Sequence, residues 1–92
     1  MIVVVIPAYN EEKTVAGVVR QAKKYADKVV VIDDASKDKT AANARTAGAE
    51  VIRHAKNAGL GSAIRTGLKY ALKAKADIIL TLDADGQHDP AD

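Results

Sequence analysis

The chain contains no cysteine, which excludes disulfide bonds and thiolate chemistry. It also lacks tryptophan and phenylalanine and has only three tyrosines, so a folded core must be built from aliphatic side chains. Hydrophobic residues make up 48% of the sequence, which is enough for such a core. Because cysteine-free chains suit a reducing compartment, we expect a cytoplasmic location.

Basic runs and long apolar runs are absent as well. The net charge of +2 and the lack of interleaved basic and aromatic residues exclude nucleic acid as the expected partner. No stretch approaches the ~20 apolar residues of a membrane span. The apolar run Ile2–Ile6 has no basic segment before it, so it predicts a strand and not a signal peptide. A chain of 92 residues makes one domain or part of one.

Strand and helix patterns alternate along the sequence. Strands are predicted at about 2–6, 28–33, 49–54 and 77–83. Helices are predicted from near Glu11 with Asn10 as N-cap, across Lys39–Ala47, and from about Gly59 to Lys73. This alternation predicts an α/β fold with a three-layer arrangement and a mostly parallel sheet. The near-continuous apolar strands agree, since parallel strands are covered on both faces.

Helical spacing also predicts which side chains face the core. The inward residues of the first helix are predicted to be Val15, Val18, Val19 and Ala22, and those of the third helix Ile64, Leu68, Ala71 and Leu72. Ser36 or Asp38 is available to cap the second helix, and Gly48 suits its C-terminus. The short strand at 49–54 suits a sheet edge, as in the doubly wound strand order 3-2-1-4.

Acidic residues follow two of the buried-looking strands. Asp33-Asp34 follows Val29–Ile32, and Asp83-Ala84-Asp85 follows Ile78–Leu82. In an open α/β sheet, ligands bind outside the carboxyl ends of the strands, so both clusters lie where a ligand is expected. Two adjacent carboxylates repel each other, which favours a cation, a base N–H or a hydroxyl as partner. The alternative is that the Asp33-Asp34 pair only ends a strand and helps to start the next helix.

Asp83-Ala84-Asp85 has a spacing that lets two carboxylates face one ion. Mg²⁺ and Mn²⁺ favour oxygen ligands and keep water or substrate phosphate in their other positions. Gln87 and Asp89 follow closely and could add an oxygen ligand. The alternative is an aspartate-rich surface turn.

The segment Lys56–Ala63 is a glycine-containing entry to the third helix. A helix N-terminus suits phosphate, although this segment matches neither of the common glycine-rich phosphate loops. The alternative is that its glycines serve close helix packing, which is also the expected role of Gly67. Arg65 could point to solvent or to phosphate.

Neither His54 nor His88 has a partner at metal-ligand spacing, so neither is predicted to be a metal ligand.

Together these segments resemble the N-terminal part of a family 2 glycosyltransferase with the GT-A fold. The segments that carry the resemblance are Ile6–Glu12, Val31–Thr40, Asn57–Ala63 with Gly67, and Leu82–Asp85. The run Gln87–Pro90 is most similar to the polyprenol-phosphate (dolichol-phosphate) mannosyl- and glucosyltransferase branch. One departure is Ala35, where the family usually has glycine; a position that needs positive φ would make that change costly.

The resemblance implies roles for the matching positions. Pro7, Tyr9 and Glu11 would line a nucleotide pocket. Asp33 or Asp34 would contact the base or ribose, and Lys56 and Gly61 would lie where the family closes over the nucleotide. Asp83 and Asp85, with Gln87, would hold Mn²⁺ or Mg²⁺ and the diphosphate of a UDP- or GDP-linked sugar.

The resemblance also implies what residues 1–92 would be within such an enzyme. They would form the nucleotide-sugar-binding part, whereas the acceptor-binding half and the general base lie C-terminal to Asp83–Asp85 in the family. We therefore expect the isolated chain to be inactive. The branch implies a polyprenyl phosphate as acceptor and a place at the cytoplasmic face of a membrane for a full-length protein.

Other functions fit parts of the pattern. A nucleotidyltransferase of related fold would need a glycine-rich basic loop after the first strand, where this chain has Pro7–Glu12. A regulatory module, such as a phosphate-accepting receiver, would share paired aspartates at a strand end. An α/β fragment without ligand is the remaining alternative. In the order 3-2-1-4 the strand at 78–82 forms an apolar edge, which predicts self-association.

Overall fold

The computed structural model describes residues 1–85, in which four strands alternate with three helices. The strands are β1 (Ile2–Ala8), β2 (Lys28–Asp33), β3 (Glu50–Arg53) and β4 (Ile78–Thr81), and the helices are α1 (Val15–Ala22), α2 (Thr40–Thr46) and α3 (Leu60–Lys73). Every pair of neighbouring strands is parallel, and the strand order is β3-β2-β1-β4. The predicted fold class and strand order are confirmed.

The sheet is covered on both faces by alternate residues of its central strands. Val4 of β1 packs with α1 through Val15 and Val19, and all three side chains are fully buried. Val5, its neighbour on β1, faces the opposite side, where Ala63 and other residues of α3 cover it. Because successive strand residues point to opposite faces, the continuous apolar run of β1 fills two cores at once.

The buried face of α3 differs from the predicted one. Ala71 is buried as expected, but Leu68 is 38% exposed and Leu72 is 68% exposed. The residues that face the sheet are small, namely Ala63, Gly67 and Ala71. A Cβ atom added at Gly67 would lie 2.1 Å from Cγ1 of Val5, so the helix axis lies too close to the sheet for larger side chains. The packing role predicted for Gly67 is confirmed.

The first helix begins later than predicted, at Val15 with Thr14 as N-cap, and not near Glu11. Asn10 adopts a left-handed φ of 53°, so it cannot act as the predicted N-cap of a helix starting at Glu11. The backbone N–H group of Asn10 donates to Oγ of Ser36, before α2, and that of Glu11 donates to Oγ1 of Thr40, the first residue of α2, so neither donates to a helical turn. These long-range hydrogen bonds hold residues 10–12 in a turn.

The second helix is one residue shorter at each end than predicted, and its N-cap is Lys39 and not Ser36 or Asp38, although Asp38 still accepts a hydrogen bond from its first turn. Oδ1 of Asp38 accepts the N–H of Thr40, the first helical residue, at 2.9 Å. Gly48 follows the helix with a φ of 104°, and the N–H of Ala49 donates to the carbonyl of Ala44. This is the Schellman arrangement, in which glycine takes the left-handed position.

Ala35 has a φ of 63°, in the left-handed region that favours glycine. It follows Asp33-Asp34 directly, at the position where the resemblance calls for glycine. The Cβ atom of an L-residue costs roughly 1–2 kcal/mol in this conformation. The departure from the family pattern therefore introduces strain beside the acidic pair Asp33-Asp34.

Among residues 1–85, no helix is both long enough and apolar enough to cross a membrane.

The close approach of α3 to β1 predicts that Gly67→Ala destabilises the protein. The new methyl group would overlap Val5, which is fully buried and cannot move aside. Overpacking of this kind costs about 1–3 kcal/mol. Gly17→Ala on α1 is the matched control, because nothing lies within 4 Å of its added Cβ, and it should stabilise the protein slightly. Urea denaturation measures both; equal stability of the two variants would contradict this packing.

The left-handed conformation of Ala35 predicts that Ala35→Gly stabilises the protein. Relief of the strain should exceed the entropy that glycine adds to the unfolded chain, leaving a net gain of about 0.5–1 kcal/mol. Ala42→Gly is the control, since Ala42 is an exposed residue inside α2, where glycine should cost about the same amount. A rise in the urea midpoint for the first variant and a fall for the second is expected. A fall for both would show that Ala35 is unstrained.

Candidate functional site

A cavity of about 270 Å³ opens at the carboxyl edge of the sheet. It is lined by Pro7, Ala8, Tyr9, Glu11, Asp34, Leu60, Ala63, Asp83, Ala84 and Asp85. Four separate segments thus meet there: the end of β1, the end of β2, the start of α3 and the turn after β4. The cavity brings together six of the sequence-predicted site residues, which are Pro7, Tyr9, Glu11, Asp34, Asp83 and Asp85.

The strand pairing explains why these segments meet. Ala8 pairs with Asp33 in the parallel β1–β2 ladder, and the N–H of Asp34 donates to the carbonyl of Ala8 at 2.9 Å. The β4 ladder ends earlier, where Val5 pairs with Thr81. At Pro7, which has no N–H to donate, β1 therefore pairs with β2 but no longer with β4. The chain after β4 leaves this pairing and turns toward the cavity.

The two aspartates at the end of β2 have different partners. Asp33 is fully buried and does not line the cavity. Its Oδ2 atom lies 2.7 Å from Nη1 of Arg53, and its Oδ1 atom accepts the N–H of Ser36 at 3.0 Å. Arg53 also donates from Nη2 to the carbonyl of Ser36. Asp33 thus joins the ends of β2 and β3 to the loop that leads to α2.

Asp34 lines the cavity while its carboxylate is held by internal donors. Oδ1 accepts the N–H of Ala58 at 2.9 Å and lies 2.8 Å from Nδ1 of His54, and Oδ2 accepts the N–H of Gly59 at 2.8 Å. Burial alone would raise the pKa of Asp34, but the hydrogen bonds from Ala58, His54 and Gly59 outweigh it and lower the pKa. The carboxylate is therefore ionised and fixed in orientation.

The other acids at the cavity affect one another. Burial raises the pKa of Glu11, and the nearby carboxylates of Asp85, Asp38 and Asp83 raise it further. Glu11 comes from the turn after β1, and Asp83 and Asp85 come from the turn after β4. Negative charge therefore collects on this side of the cavity, where a cation would relieve the repulsion.

The segment Asp83-Ala84-Asp85 is attached to the fold through its middle residue. Ala84 is 2% exposed and packs in the core beneath α1. Its carbonyl accepts a hydrogen bond of 2.6 Å from Oγ1 of Thr14, the N-cap of α1. This anchor holds the turn that carries the two carboxylates against the fold.

Among residues 1–85, three predicted site residues do not line the cavity, namely Asp33, Lys56 and Gly61. Lys56 and Gly61 are exposed, although Lys56 belongs to the loop that packs on Asp34. The predicted ligand Gln87 lies outside the described residues, as do His88 and Asp89. Within residues 1–85, no group of three or more His, Cys, Asp or Glu side chains is arranged to hold a metal ion by itself.

Sequence reasoning missed the residues that support the site. Thr14 anchors the Asp83–Asp85 turn, and Arg53 and His54 at the end of β3 hold the two aspartates of β2. His54 was predicted not to be a metal ligand, and its hydrogen bonds to Asp34 and Thr66 agree with that. The sequence did offer a signal for Arg53 and His54, which is their position at the end of a strand predicted to lie beside β2. Polar residues at that position must lie next to Asp33-Asp34.

The chain is similar to known glycosyltransferases. Glycosyl transferase family 2 matches residues 3–92. A UDP-N-acetylglucosamine–dolichyl-phosphate N-acetylglucosaminyltransferase of Methanococcus voltae is 38% identical, matching 100% of this chain and 44% of that protein. An undecaprenyl-phosphate mannosyltransferase of Micrococcus luteus is 36% identical, over 97% of this chain and 40% of that protein. The predicted similarity to polyprenol-phosphate transferases is confirmed.

A solved structure shows the same architecture. Glucosyl-3-phosphoglycerate synthase from Mycobacterium tuberculosis, in complex with Mn²⁺, UDP-glucose and phosphoglyceric acid, superposes with a TM-score of 0.75 at 27% identity. The match covers 91% of this chain and 33% of that one. The chain thus spans less than half the length of each of these three relatives. Because the family matches residues 3–92, which is nearly the whole chain, the chain belongs to glycosyl transferase family 2.

Proposed function

We propose that this chain is the donor-binding region of a glycosyltransferase, which binds a nucleoside-diphosphate sugar together with a divalent cation. The observation that carries the proposal is the cavity in which Asp34, Glu11 and the Asp83–Asp85 turn converge. These acids come from the ends of three neighbouring parallel strands, which is where α/β sheets bind nucleotides. Membership of the family and the nucleotide complexes of its structural relative support it.

The nucleoside end of the site is assigned to the Asp34 side of the cavity. Asp34 has three internal donors, and a carboxylate offers about four acceptor positions, so one remains for a base N–H or a ribose hydroxyl. Tyr9 and Leu60 are 43% and 63% exposed and give this end apolar surface for a flat ring. Asp33 has no such access, because it is fully buried and paired with Arg53.

The diphosphate end is assigned to Asp83 and Asp85. The donor set fits Mg²⁺ or Mn²⁺, because these ions take few carboxylates and complete their coordination with water and substrate phosphates. Because no three such side chains within residues 1–85 are arranged to hold a metal ion, water and substrate phosphate would have to complete its coordination. When bound, such an ion neutralises charge on the departing nucleoside diphosphate. The protein's part is to hold both carboxylates on the turn that Thr14 and Ala84 anchor.

The acceptor is proposed from the relatives. Their names give dolichyl and undecaprenyl phosphates, which supports a polyprenyl phosphate as acceptor. The cytoplasmic face of a membrane remains the predicted location of a full-length protein. The acceptor half and the general base would belong to the part of such proteins that this chain does not match. Inactivity of the 92 residues alone remains a prediction.

Calorimetry with UDP and GDP in the presence of Mn²⁺ tests donor binding. We expect binding by the unmodified chain, and at least about tenfold weaker binding by Asp85→Asn, because one charged ligand to the cation is lost. Glu50→Gln is the control, since Glu50 is an exposed acid on β3 and the change removes the same charge away from the cavity. Chelation of Mn²⁺ should abolish the difference between the variants. Absence of heat with both nucleotides, together with unchanged thermal stability, would refute the proposal.

The outer edge of β4 supports a second copy of the chain as partner. Among the described residues β4 pairs with β1 alone, and its side chains Ile78 and Leu80 are 50% and 41% exposed. An apolar unpaired edge favours strand addition.

Light scattering at increasing concentration tests this association. We expect dimers or larger species for the unmodified chain and monomers for Ile78→Lys/Leu80→Lys, because edge lysines oppose strand pairing. Ala42→Lys/Thr46→Lys is the matched control, which adds the same two charges on exposed positions of α2. A monomer at high concentration without any substitution would exclude self-association through this edge.

A further inference from the structure

His54 connects three elements beside the cavity. Its backbone N–H donates to the carbonyl of Asp33 at 2.9 Å, which extends the pairing of β3 with β2 by one residue. The Nδ1 atom of its ring lies 2.8 Å from Oδ1 of Asp34. The Nε2 atom lies 2.8 Å from Oγ1 of Thr66 on α3. The ring is thus held at both ends, and its side chain is only 17% exposed.

The hydrogen bonds determine where one proton of the ring must lie. The Asp34 carboxylate already accepts two backbone N–H groups and can only accept from its third partner, so Nδ1 of His54 carries a proton. The Thr66 hydroxyl lies within reach of both Nε2 and the carbonyl of Ser62, at 2.8 and 3.1 Å. If this hydroxyl donates to Ser62, the ring is a cation; if it donates to Nε2, the ring is neutral. The Nδ1–H donor to Asp34 is the same in both states.

We infer that His54 is a positioning residue that orients the Asp34 carboxylate toward the cavity. Asp34 in turn holds Ala58 and Gly59, the two residues before α3, so the ring also fixes the path of the loop beside the cavity. Because the ring is anchored on Thr66, it transmits the position of α3 to the end of β2. The inference deepens the proposed function, on which it rests for the contact between Asp34 and a nucleoside.

Two substitutions of His54 distinguish the role of Nδ1 from that of Nε2. Asn at position 54 places an N–H donor near the position of Nδ1, whereas Gln places its donor near the position of Nε2. His54→Asn should therefore keep the bond to Asp34 and bind UDP within about threefold of the unmodified chain. His54→Gln should lose that bond and bind UDP about tenfold more weakly, since a hydrogen bond to a charged group is lost. Equal weakening by both variants would overturn the inference.

Nitrogen-15 NMR of the imidazole ring tests the inference without any nucleotide. The chain has two histidines, so a His88→Gln variant leaves His54 as the single ring signal. At a pH high enough to make the ring neutral, we expect the tautomer that carries its proton on Nδ1. Finding the proton on Nε2 would overturn the inference, because Nδ1 would then face a carboxylate with no hydrogen between them.

The backbone amides of Ala58 and Gly59 give a further readout in the same samples. His54→Gln should shift both amide signals, because the carboxylate that accepts them is no longer oriented, and His54→Asn should leave them nearly in place. If the chain binds no nucleotide, the proposed function fails, and the ring tautomer and these amide shifts still decide whether His54 positions Asp34. Unchanged amide signals in His54→Gln would count against the role.

Discussion

The parallel pairing of β1 with β2 and β4 is the constraint on which the rest of the structure depends. It sets Ala8 beside Asp33 and Val5 beside Thr81, so the carboxyl ends of all three strands open on one edge. This register brings together segments that lie far apart in sequence, such as those that carry Glu11 and Asp85. Both faces of β1 must then be covered, which draws α1 to one side and α3 to the other.

The elements that sequence patterns predict well are those decided by local composition. The bounds of β2 and the strand order follow from apolar runs and alternation, and Gly48 marks the end of α2 through its own backbone preference. The buried face of α3 was predicted wrongly because helical periodicity favours large apolar residues. The short distance between α3 and Val5 instead requires Gly67 and small residues on the buried face. The sequence of the helix does not reveal that distance.

The start of α1 was predicted wrongly for a related reason. Asn10 and Glu11 have the composition of a helix N-terminus, but their N–H groups donate to Ser36 and Thr40, more than twenty residues away. The candidate site shows the same limit. The gathering of acids at one edge could be predicted, whereas the different partners of Asp33 and Asp34 could not. Arg53 and His54, at the end of β3, decide that difference. The predicted strand order places them beside β2, but it does not show which aspartate each of them contacts.

These partners also bear on the alternative functions and on where a cation would bind. A phosphate-accepting receiver needs an accessible aspartate, but Asp33 is buried against Arg53, and Asp34 is held by three internal donors. The same donors compensate the charge of Asp34, so its side of the cavity has no need of a metal ion. On the side with Glu11, Asp83 and Asp85, burial raises the pKa of Glu11, and repulsion from Asp85, Asp38 and Asp83 raises it further. This difference supports the proposed placement of a neutral base at the Asp34 end and of a cation with its diphosphate at the end with Glu11, Asp83 and Asp85.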